Sequence, residues 1–239
     1  MNAKIPDGKT RLLFVEGSTD KEFFIQLGYY LKFTKKTPLH ILEYEGKDNL
    51  EGFLSLVQTE SNFKRITHIG IVRDTDFTGG TLQSIQAALQ NANQENPDRK
   101  QYPVPNVAAT FVGDDDLRVG IFIMPDTQND GMLESLILRV LDNDAIMTCV
   151  EQYFDCAEAT EITLKPEPLP KAMMRVYMAA LYQGRIRTFI EGKNIDFETP
   201  ASDRNKSYLS DIYKMTWWTW NHAVFNDVKA FLLQLTDNS

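Results

Sequence analysis

Phosphate and metal chemistry draws on a short menu of side chains, and three stretches of this chain carry them: Glu16, Gly17 and Asp20; Arg73, Asp74 and Asp76; and Asp126. Each stretch follows an apolar run. Leu12-Leu13-Phe14-Val15 leads into Glu16-Gly17, Ile69-Gly70-Ile71-Val72 into Arg73-Asp74-Thr75-Asp76, and Ile121-Phe122-Ile123-Met124 into Pro125-Asp126. Short apolar runs of this kind read as buried strands, so each delivers its charged residues to a strand end. Residues two apart on an extended chain point the same way, which sets Asp74 and Asp76 on one side. Carboxylate oxygens suit Mg²⁺ or Mn²⁺ rather than zinc. Acids gathered without a cation repel one another, which favours a metal over a purely structural cluster. Arg73 is an unusual charge at a strand end, and either offsets the acids or contacts a phosphate. Gly17 lets the chain turn sharply into a helix and is the second candidate phosphate contact.

The elements that must position these residues alternate. Strands are expected over 11–15, 39–44 and 67–72, and helices over 20–33, 48–63 and from Thr78 or Gly79 through Leu89. Ser18, Thr19 or Asp20 can cap the first helix. Asn91 to Gln101, rich in Asn, Gln and Pro, reads as a mobile surface loop. Val107–Val112 and Val119–Met124 form a hairpin around Gly113-Asp114-Asp115-Asp116, a solvated tip. A long helix starts at Asp130-Gly131. Beyond Asp155 the strand signals stop, and helices are expected over 171–182 and 211–235. The fold class is α/β: a Rossmann-like, mostly parallel sheet flanked by helices, with a helical C-terminal extension. The domains divide as an α/β core over 1–127 and a helical extension over 128–239, packed as one unit. In open parallel sheets ligands sit outside the carboxyl ends of the strands, where Glu16, Asp74, Asp76 and Asp126 all fall.

Composition removes several classes of function. No apolar run approaches the roughly 18 residues of a membrane span, and the polar N-terminus lacks a signal peptide's apolar core, so a cytoplasmic protein is expected. Cys149 and Cys156 match no metal motif, and two buried free thiols are expected. The net charge of −8 argues against a broad nucleic-acid-binding surface. It leaves room for a nucleic-acid enzyme, because metal-binding acids are part of that charge and a bound cation offsets them locally. His40, His68 and His222 have no ligand spacing.

Val15-Glu16-Gly17, then Asp74-Thr75-Asp76 after an apolar strand, with strand and helix alternating between them, resembles the TOPRIM domain. That domain is shared by topoisomerases, bacterial primases, the ribonuclease of 5S RNA maturation and the OLD-type nucleases. The similarity covers residues 10–127. Met124-Pro125-Asp126, Gly131-Met132-Leu133-Glu134 and the Lys171-led tail resemble a small family of stand-alone prokaryotic TOPRIM-like proteins. The resemblance implies that Glu16 serves as general acid/base or assists a metal, and that Asp74 and Asp76 coordinate Mg²⁺. It adds Asp20 as a helper for a second ion and Asp126 as a further acid at the site. One position departs from the pattern: where some members carry a third acid, this chain has Thr78.

Each acid also has a structural use. Glu16 and Asp20 suit the N-terminus of a helix, Asp74 and Asp76 an Asx turn, and Asp126 a Pro-Asp turn. The joint reading is a nuclease or other phosphotransfer enzyme acting on DNA or RNA with one or two Mg²⁺ or Mn²⁺ ions. No Walker-type phosphate loop and no four-cysteine zinc module is present. The alternative is a non-catalytic metal- or nucleotide-binding module. Its C-terminal helices, with Trp217, Trp218 and Trp220, would dock a protein partner or a second copy. A phosphohydrolase with Asp74 as nucleophile ranks third, because its motif sits behind Glu16-Gly17 instead of near the N-terminus.

Overall fold

Five short apolar runs assemble into one sheet in the computed structural model, which describes residues 3–75, 79–127, 131–159, 169–192, 212–213 and 218–237. The strands are β1 (Arg11–Val15), β2 (Leu39–Glu43), β3 (His68–Asp74), β4 (Phe111–Gly113) and β5 (Arg118–Met124). Their order is β2-β1-β3-β5-β4, parallel except for β4, which pairs antiparallel with β5 as the expected hairpin. The helices between them are α1 (Ser18–Tyr30), α2 (Leu50–Thr59) and α3 (Thr81–Glu95). The α/β class expected from the alternation is the observed one.

The chain forms two compact units, one of residues 1–133 with 217–239 and the other of 134–216. In the first unit the two faces of the sheet are covered differently. Leu12, Phe14, Leu42, Tyr44, Ile69, Ile71, Val119 and Ile121 share a core with α2 and α3. On the opposite face Gly70 lies against Leu13, Phe231 and Leu235, and Phe231 packs on Phe122 with ring centroids 5.2 Å apart. Phe231 and Leu235 belong to the last helix, α7 (Asn226–Thr236), so the end of the chain returns to cover the sheet.

Several local expectations need correction. The 91–101 stretch is pinned: α3 runs to Glu95, and Asn93 clasps the backbone of Tyr102 by accepting from its N–H at 2.8 Å and donating to its carbonyl at 2.9 Å. Tyr102 is buried and donates to Leu54 O. The reach of β4 is shorter than expected, since Ala109 takes a left-handed φ of 57°. The C-terminal helix is also shorter: Trp218–His222 is non-helical, and α7 begins at Asn226. Trp218 and Trp220 turn inward to a cluster with Phe23 and Phe225, which leaves them no surface for docking. Trp217 and Asp130 lie outside the described residues.

The described helices of the second unit are α4 (Leu133–Val140), whose first residue belongs to the first unit, α5 (Ala145–Glu158) and α6 (Leu169–Gly192). The helix expected from Asp130-Gly131 through Leu141 is observed from Leu133 to Val140 as α4, and the Asp144 carboxylate then caps α5 by accepting from Ile146 N–H at 2.8 Å. The two cysteines are free and exposed, not buried, because Met147, Val150 and Phe154 take the inner face of α5. Seven residues apart on one helix they stand about 10 Å apart, beyond disulfide reach. No described helix is long and apolar enough to cross a membrane.

Candidate functional site

Strand pairing makes the site. The β1–β2 ladder runs to Val15↔Glu43 and is prolonged by Tyr44 N–H to Val15 O and Gly46 N–H to Glu16 O, both 3.0 Å. The β3–β5 ladder runs to Asp74↔Met124. The β1–β3 ladder stops earlier, at Phe14↔Ile71. The two central strands therefore part at their carboxyl ends. Their helical connections leave on opposite sides of this gap, the topology at which open α/β sheets form ligand crevices.

Glu16 sits on one wall, at the end of β1, and is half-buried. Gly17 follows as the N-cap of α1, with φ −146° and ψ 179°. That is ordinary extended backbone, so the turn does not require glycine there. The Gly17 N–H donates to the Asp20 carboxylate at 3.0 Å, the reach-back of an acid at the third helical position. The opposite wall is the end of β3. Asp74 accepts from Leu133 N–H, the first residue of α4, at 3.2 Å. Thr75 fastens the same wall by donating its N–H to Gly131 O at 2.9 Å and its hydroxyl to Met124 O at 2.8 Å. Arg73 is buried on the α2/α3 side and donates to Ser84 Oγ of α3 at 3.1 Å. Asp126 lies two residues past Met124 at the end of neighbouring β5, on the same edge of the sheet. Asp76 is outside the described residues.

Tyr44 bonds to both walls, its N–H to Val15 O and its hydroxyl to Val72 O. Its side chain is fully buried, and its phenol pKa lies well above the ordinary value. Burial is the main cause; the negative charges of Glu16, Asp20 and Asp74 add to it and Arg73 opposes. Those four residues are therefore near enough to act on one hydroxyl. A signal for Tyr44 exists in the sequence: Leu39–Tyr44 followed by Glu45-Gly46 repeats the pattern of an apolar run ending at an acid and a glycine.

The donors at this edge are carboxylate oxygens, the set that Mg²⁺ and Mn²⁺ prefer. Among the described residues no three acids, histidines or cysteines stand close enough to form a metal group by themselves. Two further polar side chains are taken up in local caps. Asp114 caps its own hairpin by accepting from Asp116 and Leu117 N–H, which lowers its pKa. His222 accepts from Val224 N–H.

A family model described as a protein of unknown function, DUF3226, matches residues 10–237. No curated protein matches the sequence. Among solved structures, the crystal structure of a hypothetical protein from Pyrococcus horikoshii OT3 is similar at 18% identity and a TM-score of 0.48, covering 86% of this chain and 99% of that one.

Proposed function

The chain belongs to the DUF3226 family, and from its own side chains we propose a TOPRIM-type, Mg²⁺- or Mn²⁺-dependent phosphotransfer enzyme, of nuclease type, acting on DNA or RNA at the crevice between β1 and β3. The observation that carries this reading is the placement of Glu16 with Asp20 at the end of β1 and of Arg73 with Asp74 at the end of β3, where the two central strands part. In this reading Asp74 and Asp76 hold the cation and Asp20 supports it. A divalent cation bound there supplies Lewis acidity, orienting a water and stabilising charge on the phosphate and leaving oxygen. Glu16, on the facing wall, takes and returns the proton of the attacking or leaving oxygen. Arg73, buried against α3, offsets the repulsion among the acids.

The test is cleavage of labelled single- and double-stranded DNA and RNA with Mn²⁺ or Mg²⁺, comparing the native chain with Asp74→Ala/Asp76→Ala. Cleavage that depends on metal and falls by at least about 100-fold in the variant is expected. Equal cleavage by a folded variant would sink the reading.

One observation favours a second reading, a binding module without catalysis. Asp20 and Asp74 each already accept a backbone N–H, the use a structural cap makes of a carboxylate. Anomalous difference density from Mn²⁺-soaked crystals, combined with the cleavage assay, separates the two. Bound metal without cleavage selects the module, and bound metal with cleavage selects the enzyme.

A further inference from the structure

The crevice has a floor that the proposed chemistry does not use. Tyr44 follows β2, yet its hydroxyl donates to the Val72 carbonyl of β3 at 3.1 Å. In the sheet β1 lies between those two strands, so the phenol crosses above the end of β1 to reach β3. Each wall of the crevice is bonded on its outer side, β1 to β2 and β3 to β5, while the β1–β3 ladder has already stopped. The Tyr44 hydroxyl is a direct tie from one wall to the other. Its ring is held in the α2-side core beside Phe53, with ring centroids 6.2 Å apart. Glu16 follows Val15, whose carbonyl accepts the Tyr44 N–H, and Asp74 stands two residues past Val72, whose carbonyl accepts the Tyr44 O–H. One tyrosine thus references both acid-bearing strand ends. The buried phenol keeps its proton through the neutral range, so it remains a donor there.

We propose that Tyr44 is the positioning residue of the crevice: its bond to Val72 sets the span between Glu16 and Asp74 across which a divalent cation or a phosphate is held. The metal-site part rests on the reading above, whereas the mechanical part does not. Tyr44 is fully buried, so it acts through the strand ends without touching a substrate.

The test uses the full-length Tyr44→Phe variant, which keeps the ring and removes the hydroxyl. Phe63→Leu, a core change far from the crevice, serves as the control. Hydrogen exchange is followed by mass spectrometry, and Mn²⁺ affinity by the electron paramagnetic resonance signal of the free ion. In Tyr44→Phe, exchange should quicken at Glu16–Gly17 and Asp74–Thr75 and stay unchanged at Leu12–Phe14. Mn²⁺ affinity should weaken by about tenfold, as for other groups that orient metal ligands. Phe63→Leu should lower Tm with no change in Mn²⁺ affinity. Exchange at both strand ends equal to the native rate, or raised uniformly across the sheet, would overturn the proposal. If the native chain takes up no Mn²⁺, the metal reading fails, and the exchange pattern alone decides the role of Tyr44.

Discussion

At the residue scale, two of the acids that the sequence pattern singles out have found a backbone partner: Asp20 takes the Gly17 N–H and Asp74 the Leu133 N–H. This does not exclude ligation, because a carboxylate offers about four lone-pair sites and one N–H occupies only one. The acid response is expected from a different residue. His68, between β1 and β5 in the sheet, has its pKa lowered from 6.5 to about 4, first by burial and then by Arg11 and Arg118, with Asp237 opposing. His40 is shifted the same way by burial, Lys21 and Lys9. A depressed histidine is neutral in the fold, so its contribution to stability is complete above pH 6.5 and is lost as pH falls toward 4. Urea midpoints measured across that window should fall with pH. His68→Gln should flatten the decline by on the order of 1–2 kcal/mol, a figure reduced from the full linkage value because the ring is partly solvated. An unchanged slope in the variant would place the acid sensitivity elsewhere.

At the element scale, α7 lies close against the sheet at Gly70. A Cβ at Gly70 would lie 3.0 Å from Leu13, 3.1 Å from Phe231 and 3.2 Å from Leu235. Glycine at the middle of the central strand is what lets the helix approach. Gly70→Ala should cost about 1–3 kcal/mol through overpacking, lowering Tm by roughly 2–4 °C for each kcal/mol. Calorimetry of the variant checks this, and a Tm equal to the native value would mean that α7 yields freely. Gly113 is constrained more tightly, since it has φ +127° and a Cβ there would meet Leu117 O at 2.1 Å. The hairpin thus depends on Gly113, the last residue of β4 before the turn that joins its strands.

At the scale of the whole molecule, the last residues complete the first unit. Val228, Phe231, Leu232 and Leu235 are buried almost entirely. Burial contributes about 1.5–3 kcal/mol for each such side chain, which together rivals the 5–15 kcal/mol that typically separates folded from unfolded chains. A chain truncated after Thr216 should therefore lose cooperative unfolding and become insoluble. Differential scanning calorimetry and sedimentation would reveal it, and a truncated chain with a near-native Tm would contradict this account of α7. The closing segment also approaches the carboxyl edge, since the Asp227 carboxylate accepts from the Thr127 hydroxyl at 2.7 Å, beside Asp126.

The sequence by itself determined β1, β2, β3 and β5, their alternation with helices and the arrival of Glu16, Asp74 and Asp126 at one sheet edge. These follow from local pattern: an apolar run specifies a buried strand, and the residue after it stands at the end. The Asp114 turn was legible for the same reason, because an aspartate caps amides within three residues of itself. Only the tertiary structure decided the parting of β1 from β3, the crossing of Tyr44 to Val72, the clasp of Asn93 on Tyr102 and the return of α7. Each joins residues far apart in the chain, and periodicity carries no information about which distant partner a side chain will meet. Tyr44 shows the difference. As a letter it is the apolar end of a strand, and it becomes a tie between two acid-bearing strand ends only because the sheet places β1 between β2 and β3.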